Sequence, residues 1–380
     1  MPWRTVSSVL NPGRHYLSGA ETIVEAALAS RCGYFAGYPI TPTTEVLERI
    51  AERFPEMGAS FAQMEDEIAS VCSCIGASWA GVKSMTITSG PGFSLMQEGI
   101  GHAQMTEAPL VVIDGQRAGP STGQVTVGSG DVMQARWGMH GGIPTVALAP
   151  WSVQELYDLT ISAFNLAEKY RTPVFLMAEA ATMHLREILN VSEEVRLYDR
   201  DKAPGVSPFG CDAPDGVPPM PAFGEGEKLL VTASTHDARG FRRTEDPVTH
   251  RVLTSRLYHK IMDHVDELAA VEEHFLDDAE AAFVAYGFTA RSALSAVADL
   301  RREGHRVGLL RLKTLWPFPS EQVEQLGARV RTVLVPEMNL GQMVHVVSES
   351  AHRAVVPFNQ MDGTVIYPST LVDAMRRALA

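Results

Sequence analysis

The sequence has 380 residues and a formal net charge of -13, with 45% hydrophobic and 20% charged residues. A chain of this length can bury two hydrophobic cores, so we expect two domains. The negative charge argues against nucleic acid as a partner, because phosphate binding needs a basic surface. No apolar run approaches the roughly 20 residues of a membrane span, and the first residues lack the apolar core of a signal peptide. We therefore expect a soluble, cytoplasmic protein with no membrane partner.

Residues 20–180 alternate helical patterns with short apolar segments that are typical of strands. The predicted strands are residues 33–36, 82–88, 109–114, 145–148 and 173–177. This alternation predicts an α/β fold with a doubly wound, mostly parallel sheet. We assign this first domain to residues 1–198.

A segment rich in proline and glycine, DKAPGVSPFGCDAPDGVPPMPAFG, follows the first domain. Its composition is typical of a linker or an irregular excursion rather than a packed element, so we assign residues 199–226 to a linker. The alternation then resumes, and residues 227–380 are predicted to form a second, smaller α/β domain. Its predicted elements are KLLVTAS, a polar helix near residues 256–277, EAAFVAYG, TARSALSAVADLRREG, HRVGLLRLKTLWPFP and RTVLVPEMN.

The cysteines are too few and too scattered for a disulfide framework; they are Cys32, Cys72, Cys74 and Cys211. Cys72 and Cys74 lie in EIASVCSCIGASWAG, which favours a buried helix over a metal site. The sequence has no Cys-x-x-Cys pair, so we expect no metal site and no iron–sulphur cluster held by this chain alone.

Two prolines and three threonines occur in GYPITPTT, residues 37–44. Proline fixes its own φ and disfavours helical geometry in the preceding residue. We expect Thr41 to be a helix N-cap and Pro42 the first helical residue. The amides at such a helix start suit a carboxylate or a phosphate. For this segment taken alone, a capped helix without a ligand is the simpler interpretation.

Glu67 lies in MEDEIASVCSCIG, where three acids open a helical pattern that then becomes apolar. Acids in a first helical turn commonly compensate the helix dipole. Glu67, however, falls on the side of Val71 and Cys74, so we expect it to point inward. A carboxyl group in that position suits a proton relay.

The run TITSGPG, residues 86–92, predicts a strand that ends in a glycine turn before the helical run FSLMQEGIGHAQ. In a parallel sheet this arrangement places a ligand site at the carboxyl end of the strand. The segment lacks the Gly-Lys-Ser/Thr of a P-loop, which argues against a nucleotide site.

Taken in order, these segments resemble those of known enzymes. A glutamate that opens a helix with a glycine nine residues on, as Glu67 and Gly76 do, is similar to the pyrimidine-binding domain of thiamine diphosphate enzymes. More closely, the chain resembles the α subunit of 2-oxoacid:ferredoxin oxidoreductases in YPITP, EDEIA, TSGPGFSLMQEGIG, GPSTG, RLKTLWPFP and VPEMNLGQM. The resemblance covers nearly the whole chain. It implies a pyrimidine-binding domain followed by a smaller transketolase C-terminal-like domain.

The resemblance also implies roles for the matching residues. Glu67 and Arg117 would be catalytic, with Glu67 hydrogen-bonded to the aminopyrimidine ring of thiamine diphosphate. A helix start and a guanidinium fork would bind the substrate carboxylate, and the implied substrate-binding residues are Thr41, Arg117, Ser121 and Thr122. The implied cofactor contacts are Tyr38, Pro39, Ile40, Glu67, Ser89 and Gly90, and no metal ligand is assigned.

Arg117 can also be read without the resemblance. It follows a buried strand that ends in VVIDGQ, where a cation needs an anion to pair with. That anion is either the substrate carboxylate or an acidic side chain such as Asp114 or Asp131.

The family binds the cofactor's diphosphate and Mg²⁺ through a Gly-Asp-Gly motif, which this sequence lacks. The resemblance therefore implies a shared site, in which a β subunit supplies the diphosphate and Mg²⁺ site and an iron–sulphur cluster. It also implies coenzyme A as the acyl acceptor and ferredoxin as the electron acceptor, and it allows for small γ and ferredoxin-like subunits. Oxidation of the oxoacid and its reverse, reductive carboxylation, both remain open.

The sequence marks the identity of the oxoacid less clearly. GDVMQARWG resembles the 2-oxoglutarate branch, which we favour, whereas GQVTVGSGD and HGG depart from it. Pyruvate-type, branched-chain and aryl 2-oxoacids are the alternatives. Residues 131–140 are expected to line the side-chain pocket, with His140 in a structural role.

The sequence disfavours two alternative functions. An enzyme of the acetolactate synthase kind would bind the cofactor by itself, which the missing Gly-Asp-Gly motif disfavours. A noncatalytic scaffold subunit would have no need of Glu67, Thr41 and Arg117 together, so their retention disfavours it.

Overall fold

The computed structural model describes residues 2–203, 205–210 and 215–380. The first half contains the elements β1 (Trp3–Ser7), β2 (Gly13–Ser18), α1 (Gly19–Ala29), β3 (Tyr34–Gly37), α2 (Thr44–Glu56), β4 (Ser60–Gln63), α3 (Glu67–Trp79), β5 (Ser84–Thr88), α4 (Gly90–Met105), β6 (Leu110–Gln116), α5 (Val132–Trp137), β7 (Val146–Leu148), α6 (Val153–Tyr170), β8 (Pro173–Glu179), α7 (Ala180–His184), β9 (Arg186–Val191) and β10 (Glu194–Tyr198). The second half contains α8 (Pro247–Met262), α9 (Val265–Leu268), β11 (Val271–His274), β12 (Ala281–Tyr286), α10 (Gly287–Arg302), β13 (Val307–Leu312), β14 (Thr314–Trp316), α11 (Ser320–Arg329), β15 (Thr332–Glu337), α12 (Met343–Ser350), β16 (Val356–Asn359) and α13 (Pro368–Leu379).

Two mixed sheets organise these elements. The larger has seven strands in the order β14-β7-β8-β6-β5-β3-β4. Its neighbours are parallel except for β14, which runs antiparallel to β7. The smaller has five strands in the order β11-β13-β12-β15-β16, with only β11 antiparallel. The predicted α/β architecture is confirmed, and β14 joins the second half to the first sheet.

Helices cover both faces of the larger sheet. Leu110 and Val112 of β6 pack in a core with residues of α3, α4 and α5. Val111 and Ile113 pack in a second core with residues of α1, α2 and α6. A strand that is buried on both faces reads as a continuous apolar run, which is why LVVI was recognisable as a strand.

Short antiparallel pairs add to the first half beyond the predicted strands. Strand β1 pairs with β10, and β2 pairs with β9. Their half-exposed, mixed sequences, such as GRHYLS in β2, gave no clear strand pattern.

Three predicted elements differ from the structure. Helix α2 begins at Thr44, so Thr43 and not Thr41 is its N-cap. KLLVTAS forms no strand; Leu229 and Val231 pack against a core instead. The polar helix predicted near residues 256–277 is divided into α8, α9 and β11. Asp246, whose side chain accepts a hydrogen bond from an amide of the first turn, and Pro247 provide a helix start that the prediction missed.

The segment rich in proline and glycine contains no helix or strand in its described residues. It is nevertheless packed, because Phe209 and Met220 are buried and the ring of Phe209 lies 5.6 Å from that of Trp79. The expectation of an unpacked linker was therefore wrong for these residues, whereas the limits set at residues 199 and 226 remain a prediction. Cys211 lies outside the described residues.

None of the described helices is both long enough and apolar enough to cross a bilayer.

A buried ion cluster attaches helix α8 to the first half. Glu107, at the end of α4, is fully buried. It accepts hydrogen bonds from Arg256 at 2.5 and 2.8 Å and from Lys260 at 2.8 Å. Burial alone would raise the pKa of Glu107, but the charges of Lys260 and Arg256 outweigh it and hold that pKa well below its usual range. The carboxylate therefore stays ionised and fixes α8.

We predict that Glu107→Gln destabilises the fold by about 3–5 kcal/mol, because it leaves buried cations without their counter-charge. Chemical denaturation of the purified protein measures this change. Glu225→Gln is the control, because Glu225 forms an exposed pair with Lys202 and surface pairs contribute little. Equal, small effects of the two substitutions would contradict the prediction.

Candidate active site

The candidate site lies at one edge of the larger sheet. Strands β3, β4, β5 and β6 are parallel, so their carboxyl ends meet at this edge. The predicted motifs follow these ends directly: YPITP after β3, Glu67 after β4, SGPG after β5 and Arg117 after β6. Ligands bind at such an edge in open α/β sheets.

Glu67 is the first residue of α3 and is only 4% exposed. Asp66 caps this helix, since its side chain accepts a hydrogen bond from the Ala69 amide at 2.8 Å. Val71 and Cys74 are buried on the same face, so the predicted inward orientation of Glu67 is confirmed. The Glu67 carboxylate accepts one long hydrogen bond, from the Thr88 hydroxyl at 3.4 Å.

Gly92 allows α4 to pass close to Glu67. A Cβ atom at position 92 would lie 2.0 Å from Thr88 Oγ1 and 2.3 Å from Glu67 Oε1, closer than atoms can approach. Glycine is therefore needed here for packing. Gly92 belongs to the TSGPG motif but was not predicted as a site residue.

Ser89 and Gly90 form the start of α4. Ser89 is fully buried and is the N-cap, yet its side chain makes no capping bond. Its hydroxyl meets no hydrogen-bonding partner among the described residues. The first amides of α4 therefore lie beside a free hydroxyl and the Glu67 carboxylate, which together can bind a polar ligand.

The YPITP loop leads into α2 through a turn. The hydroxyl of Thr43 donates to the Ile40 carbonyl at 2.8 Å, so it does not cap the helix and Thr41 lies outside the first helical turn. The Tyr38 and Thr41 side chains are exposed, and Pro39 and Ile40 are half-buried. The predicted N-cap role of Thr41 is thus wrong, although the loop does border the site.

Arg117 is 5% exposed and joins two loops. Its guanidinium donates to the carbonyls of Thr41 at 2.8 Å and of Ser121 and Thr122 at 3.3 Å. Its buried Nε has no hydrogen-bonding partner among the described residues. An anion was predicted as the partner of Arg117, whereas its hydrogen-bonding partners are backbone carbonyls. Ser121 and Thr122 face solvent with their side chains and meet Arg117 through their backbones.

A cavity of about 660 Å³ lies between the two halves of the chain. The first half contributes Gly90, Pro91, Ser94, Leu95, Arg117, Ala118, Gly119, Pro120, Ser121, Gly130, Asp131 and Gln134, and the second half contributes Asn339, Leu340, Gln342 and Met361. Within the predicted pocket segment 131–140, Asp131 and Gln134 line the cavity. His140 is not in its wall and is 93% exposed. The residues from the second half were not predicted as site residues, although three of them, Asn339, Leu340 and Gln342, lie in the VPEMNLGQM motif.

Side chains of the second half hold residues 129–132, which lead into α5. Each donates a hydrogen bond to a backbone carbonyl: Asn339 Nδ2 to Ser129 at 2.8 Å, Gln342 Nε2 to Gly130 at 2.6 Å and Trp316 Nε1 to Val132 at 2.7 Å. Asp131 is therefore placed in the cavity wall by contacts from the other half of the chain.

Glu337 orients the Asn339 side chain. Its buried carboxylate accepts a hydrogen bond from Asn339 Nδ2 at 2.9 Å and from the backbone amide of Gln342 at 3.2 Å. It also accepts from the amides of Met343 and Val344 at 2.9 Å, which open helix α12. The VPEMNLGQM motif thus links a helix start to the cavity wall.

Comparisons with known proteins identify the family. Residues 25–255 match the family model described as pyruvate flavodoxin/ferredoxin oxidoreductase, thiamine diP-binding. Residues 279–371 match the pyruvate:ferredoxin oxidoreductase core domain II. The chain belongs to this oxidoreductase family. The resemblance found in the motifs is confirmed.

Individual members of the oxidoreductase family give a finer comparison. The chain is 46% identical over 366 residues to the 2-oxoglutarate synthase subunit KorA of Methanocaldococcus jannaschii, covering 95% of this chain and 98% of KorA. It is 36% identical over 352 residues to the ketoisovalerate oxidoreductase subunit VorB of Methanothermobacter marburgensis, covering 92% and 94%. Both relatives are named as subunits, the first of a synthase and the second of an oxidoreductase.

A solved structure confirms the fold of this family. The 2-oxoglutarate:ferredoxin oxidoreductase from Magnetococcus marinus, with 2-oxoglutarate, coenzyme A and succinyl-CoA bound, matches 97% of this chain with a TM-score of 0.92 at 29% identity. The present chain spans 66% of that longer chain.

We predict that Gly92→Ala in this oxidoreductase subunit lowers turnover of the assembled complex by at least about tenfold, because the new methyl group displaces the Glu67 carboxylate or the α4 backbone. Gly101→Ala on the same helix is the control, since its methyl group would meet Met139 only at 3.9 Å. Steady-state rates of the two variants test this, and equal rates would show that the close approach at position 92 is not needed for catalysis.

Proposed function

We propose that this chain is the α subunit of a cytoplasmic 2-oxoglutarate:ferredoxin oxidoreductase. The complex would convert 2-oxoglutarate and coenzyme A to an acyl-CoA and CO2, with electrons passed to ferredoxin, or would run this reaction in reverse. The observation that carries the proposal is the 46% identity to a 2-oxoglutarate synthase subunit over nearly its full length. The corresponding identity to the ketoisovalerate enzyme subunit is 36%.

The residues around Glu67 fit thiamine diphosphate. Within the described part of the chain, the Ser89 hydroxyl has no hydrogen-bonding partner, no side chain caps α4 at Ser89, and Glu67 accepts a hydrogen bond only from Thr88, at 3.4 Å, so polar groups are left for a ligand. Tyr38, Pro39, Ile40 and Gly90 would complete the contacts from this chain. When bound, the cofactor supplies an electron sink for decarboxylation. Glu67 would hydrogen-bond to the aminopyrimidine ring and relay a proton to and from that ring.

Arg117 and Thr41 would hold the substrate carboxylate. Arg117 is in the cavity wall and carries a buried positive charge that carbonyl dipoles stabilise without neutralising it. Among the described residues, its hydrogen bonds are all with backbone carbonyls, whereas the carboxyl groups of Asp114 and Asp131 interact with it only through their charge. A substrate carboxylate would supply a direct, hydrogen-bonded ion pair to this guanidinium.

A partner subunit would complete the complex. Its proposed contributions are the diphosphate and Mg²⁺ site and an iron–sulphur cluster, because the Gly-Asp-Gly motif is not in this sequence. The naming of both relatives as subunits supports such an assembly. Small γ and ferredoxin-like subunits are further proposed components.

The central experiment is to purify the native complex and to assay reduction of a low-potential viologen with coenzyme A and a panel of 2-oxoacids. We expect the highest kcat/KM for 2-oxoglutarate. A higher value for 3-methyl-2-oxobutanoate would transfer the assignment to the branched-chain enzymes, and no turnover of any oxoacid would refute the proposed function.

We predict that Glu67→Gln nearly abolishes turnover while the complex still assembles, because the amide preserves the packing but cannot relay a proton. Size-exclusion chromatography checks assembly, and viologen reduction checks turnover. Glu65→Gln is the matched control, because Glu65 lies two residues away on the exposed side. Turnover of Glu67→Gln close to that of the control would remove Glu67 from the mechanism.

We predict that Arg117→Lys weakens the apparent affinity for every 2-oxoacid by about 1.5–3 kcal/mol, since lysine keeps the charge but loses the fork. KM values for pyruvate, 2-oxobutyrate and 2-oxoglutarate measure the effect, beside a thermal melt. Arg136→Lys is the control, because Arg136 is outside the cavity wall. A lower melting temperature with unchanged KM values would limit Arg117 to its loop-bridging role.

A further inference from the structure

Asp114 is a fully buried acid in the middle of the larger sheet. It lies in β6 between Thr88 of β5 and Met177 of β8. By strand alternation it points to the same face as Val112, which packs with Val132 and Ala135 of α5. Neither of its carboxyl oxygens accepts a hydrogen bond of good geometry from the described residues.

Asp131 belongs to the segment that leads into α5, on the face of the sheet to which Asp114 points. It precedes α5 but makes no capping bond with its side chain, and its Oδ2 is buried with no partner among the described residues. Asp131 also lines the cavity. The hydrogen bonds of Asn339 and Gln342 to its two preceding residues hold it there.

The two carboxyl groups interact electrostatically with each other. Two neighbouring carboxylates in a buried site repel each other, which disfavours the state in which both are ionised. Burial, and then the charge of Asp131, raises the pKa of Asp114 well above its usual range, against smaller opposing effects of the Gly90 amide and Arg117. Burial also raises the pKa of Asp131, again against Arg117.

We propose that Asp114 and Asp131 share one proton in the cavity wall and that loss of this proton weakens the binding of an anionic 2-oxoacid beside Arg117. The proposal rests on the proposed function for its substrate, whereas the shared proton itself depends only on this chain. Asp131 and Asp114 are then positioning residues that set the charge of the cavity wall.

The direction of the pH effect follows from the charges. With the shared proton the pair carries one negative charge beside Arg117, and without it the pair carries two. The second charge repels the carboxylate of an incoming 2-oxoacid, so KM should rise with pH. We expect a rise of roughly tenfold for one added unit charge near the substrate. Because the folded chain binds this proton more tightly than the unfolded chain, the associated stability is present at low pH and is lost as pH rises.

Several ionisable groups lie on the surrounding elements. Arg117 follows β6 and lowers the pKa of both aspartates. Glu67 begins α3 and Glu337 ends β15. Glu179 ends β8, and burial raises its pKa to about 8, so it is a second carboxyl group expected to be protonated near neutral pH.

Infrared spectroscopy of the assembled complex tests the shared proton directly, because a protonated carboxyl group absorbs apart from a carboxylate. We expect the difference spectrum between the unsubstituted complex and Asp131→Asn to show the loss of one carboxylic acid band at pH 7. Asp114→Asn should show the same loss, since either amide can donate to the remaining carboxylate. Glu179→Gln is the control and should remove a different band.

Kinetics test the consequence. KM for 2-oxoglutarate should rise with pH in the unsubstituted complex and in Glu179→Gln over the range in which the shared band disappears. In Asp131→Asn it should show no such rise. An unchanged acid band in both asparagine variants, or a KM rise that persists in Asp131→Asn, would overturn the proposal. Failure of every oxoacid to react would refute the proposed function and the predicted KM effect, while the infrared result would still decide whether the proton is shared.

Discussion

The parallel pairing of β3, β4, β5 and β6 is the constraint on which the candidate site depends. Because these strands run in one direction, the segments that follow them leave the sheet at the same edge. Two of those segments lead directly into the starts of α3 and α4, where backbone amides face the loops. Side chains that are up to 50 residues apart in sequence, Glu67 and Arg117, are thereby brought to one place.

The second half of the chain is needed for the shape of this edge. The segment before α5 has backbone carbonyls that must be paired when they are buried, and Asn339, Gln342 and Trp316 pair them. Glu337 in turn fixes Asn339 while it caps α12. The cavity wall therefore depends on contacts between the halves, so a change at β15 can alter the position of Asp131 without touching the site.

Local patterns predicted the parts of the site that depend on local structure. The inward orientation of Glu67 follows from helical periodicity, and the position of Arg117 follows from the apolar run before it. The partners of Arg117 were missed because backbone carbonyls of a folded loop leave no trace in residue types. Gly92, Glu107 and Glu337 were missed for a related reason. Their roles arise from close packing or from partners such as Arg256, which is 149 residues from Glu107, and one sequence does not show which distant segments meet.

The polar groups without partners indicate where the chain has kept capacity for binding. Buried polar atoms are nearly always hydrogen-bonded, and each unpaired one costs about 1–3 kcal/mol. Among the described residues such atoms occur in several places, for example Trp79 Nε1 and Arg311 Nε. Four of the residues that carry them lie close to the candidate site: Ser89 and Asp114 at the carboxyl ends of β5 and β6, and Arg117 and Asp131 in the cavity wall. By contrast, the equally buried Glu107 and Glu337 are fully engaged by cations and amides. Around the candidate site, unlike at Glu107 and Glu337, donors and acceptors remain that a ligand, a shared proton or a second subunit can satisfy.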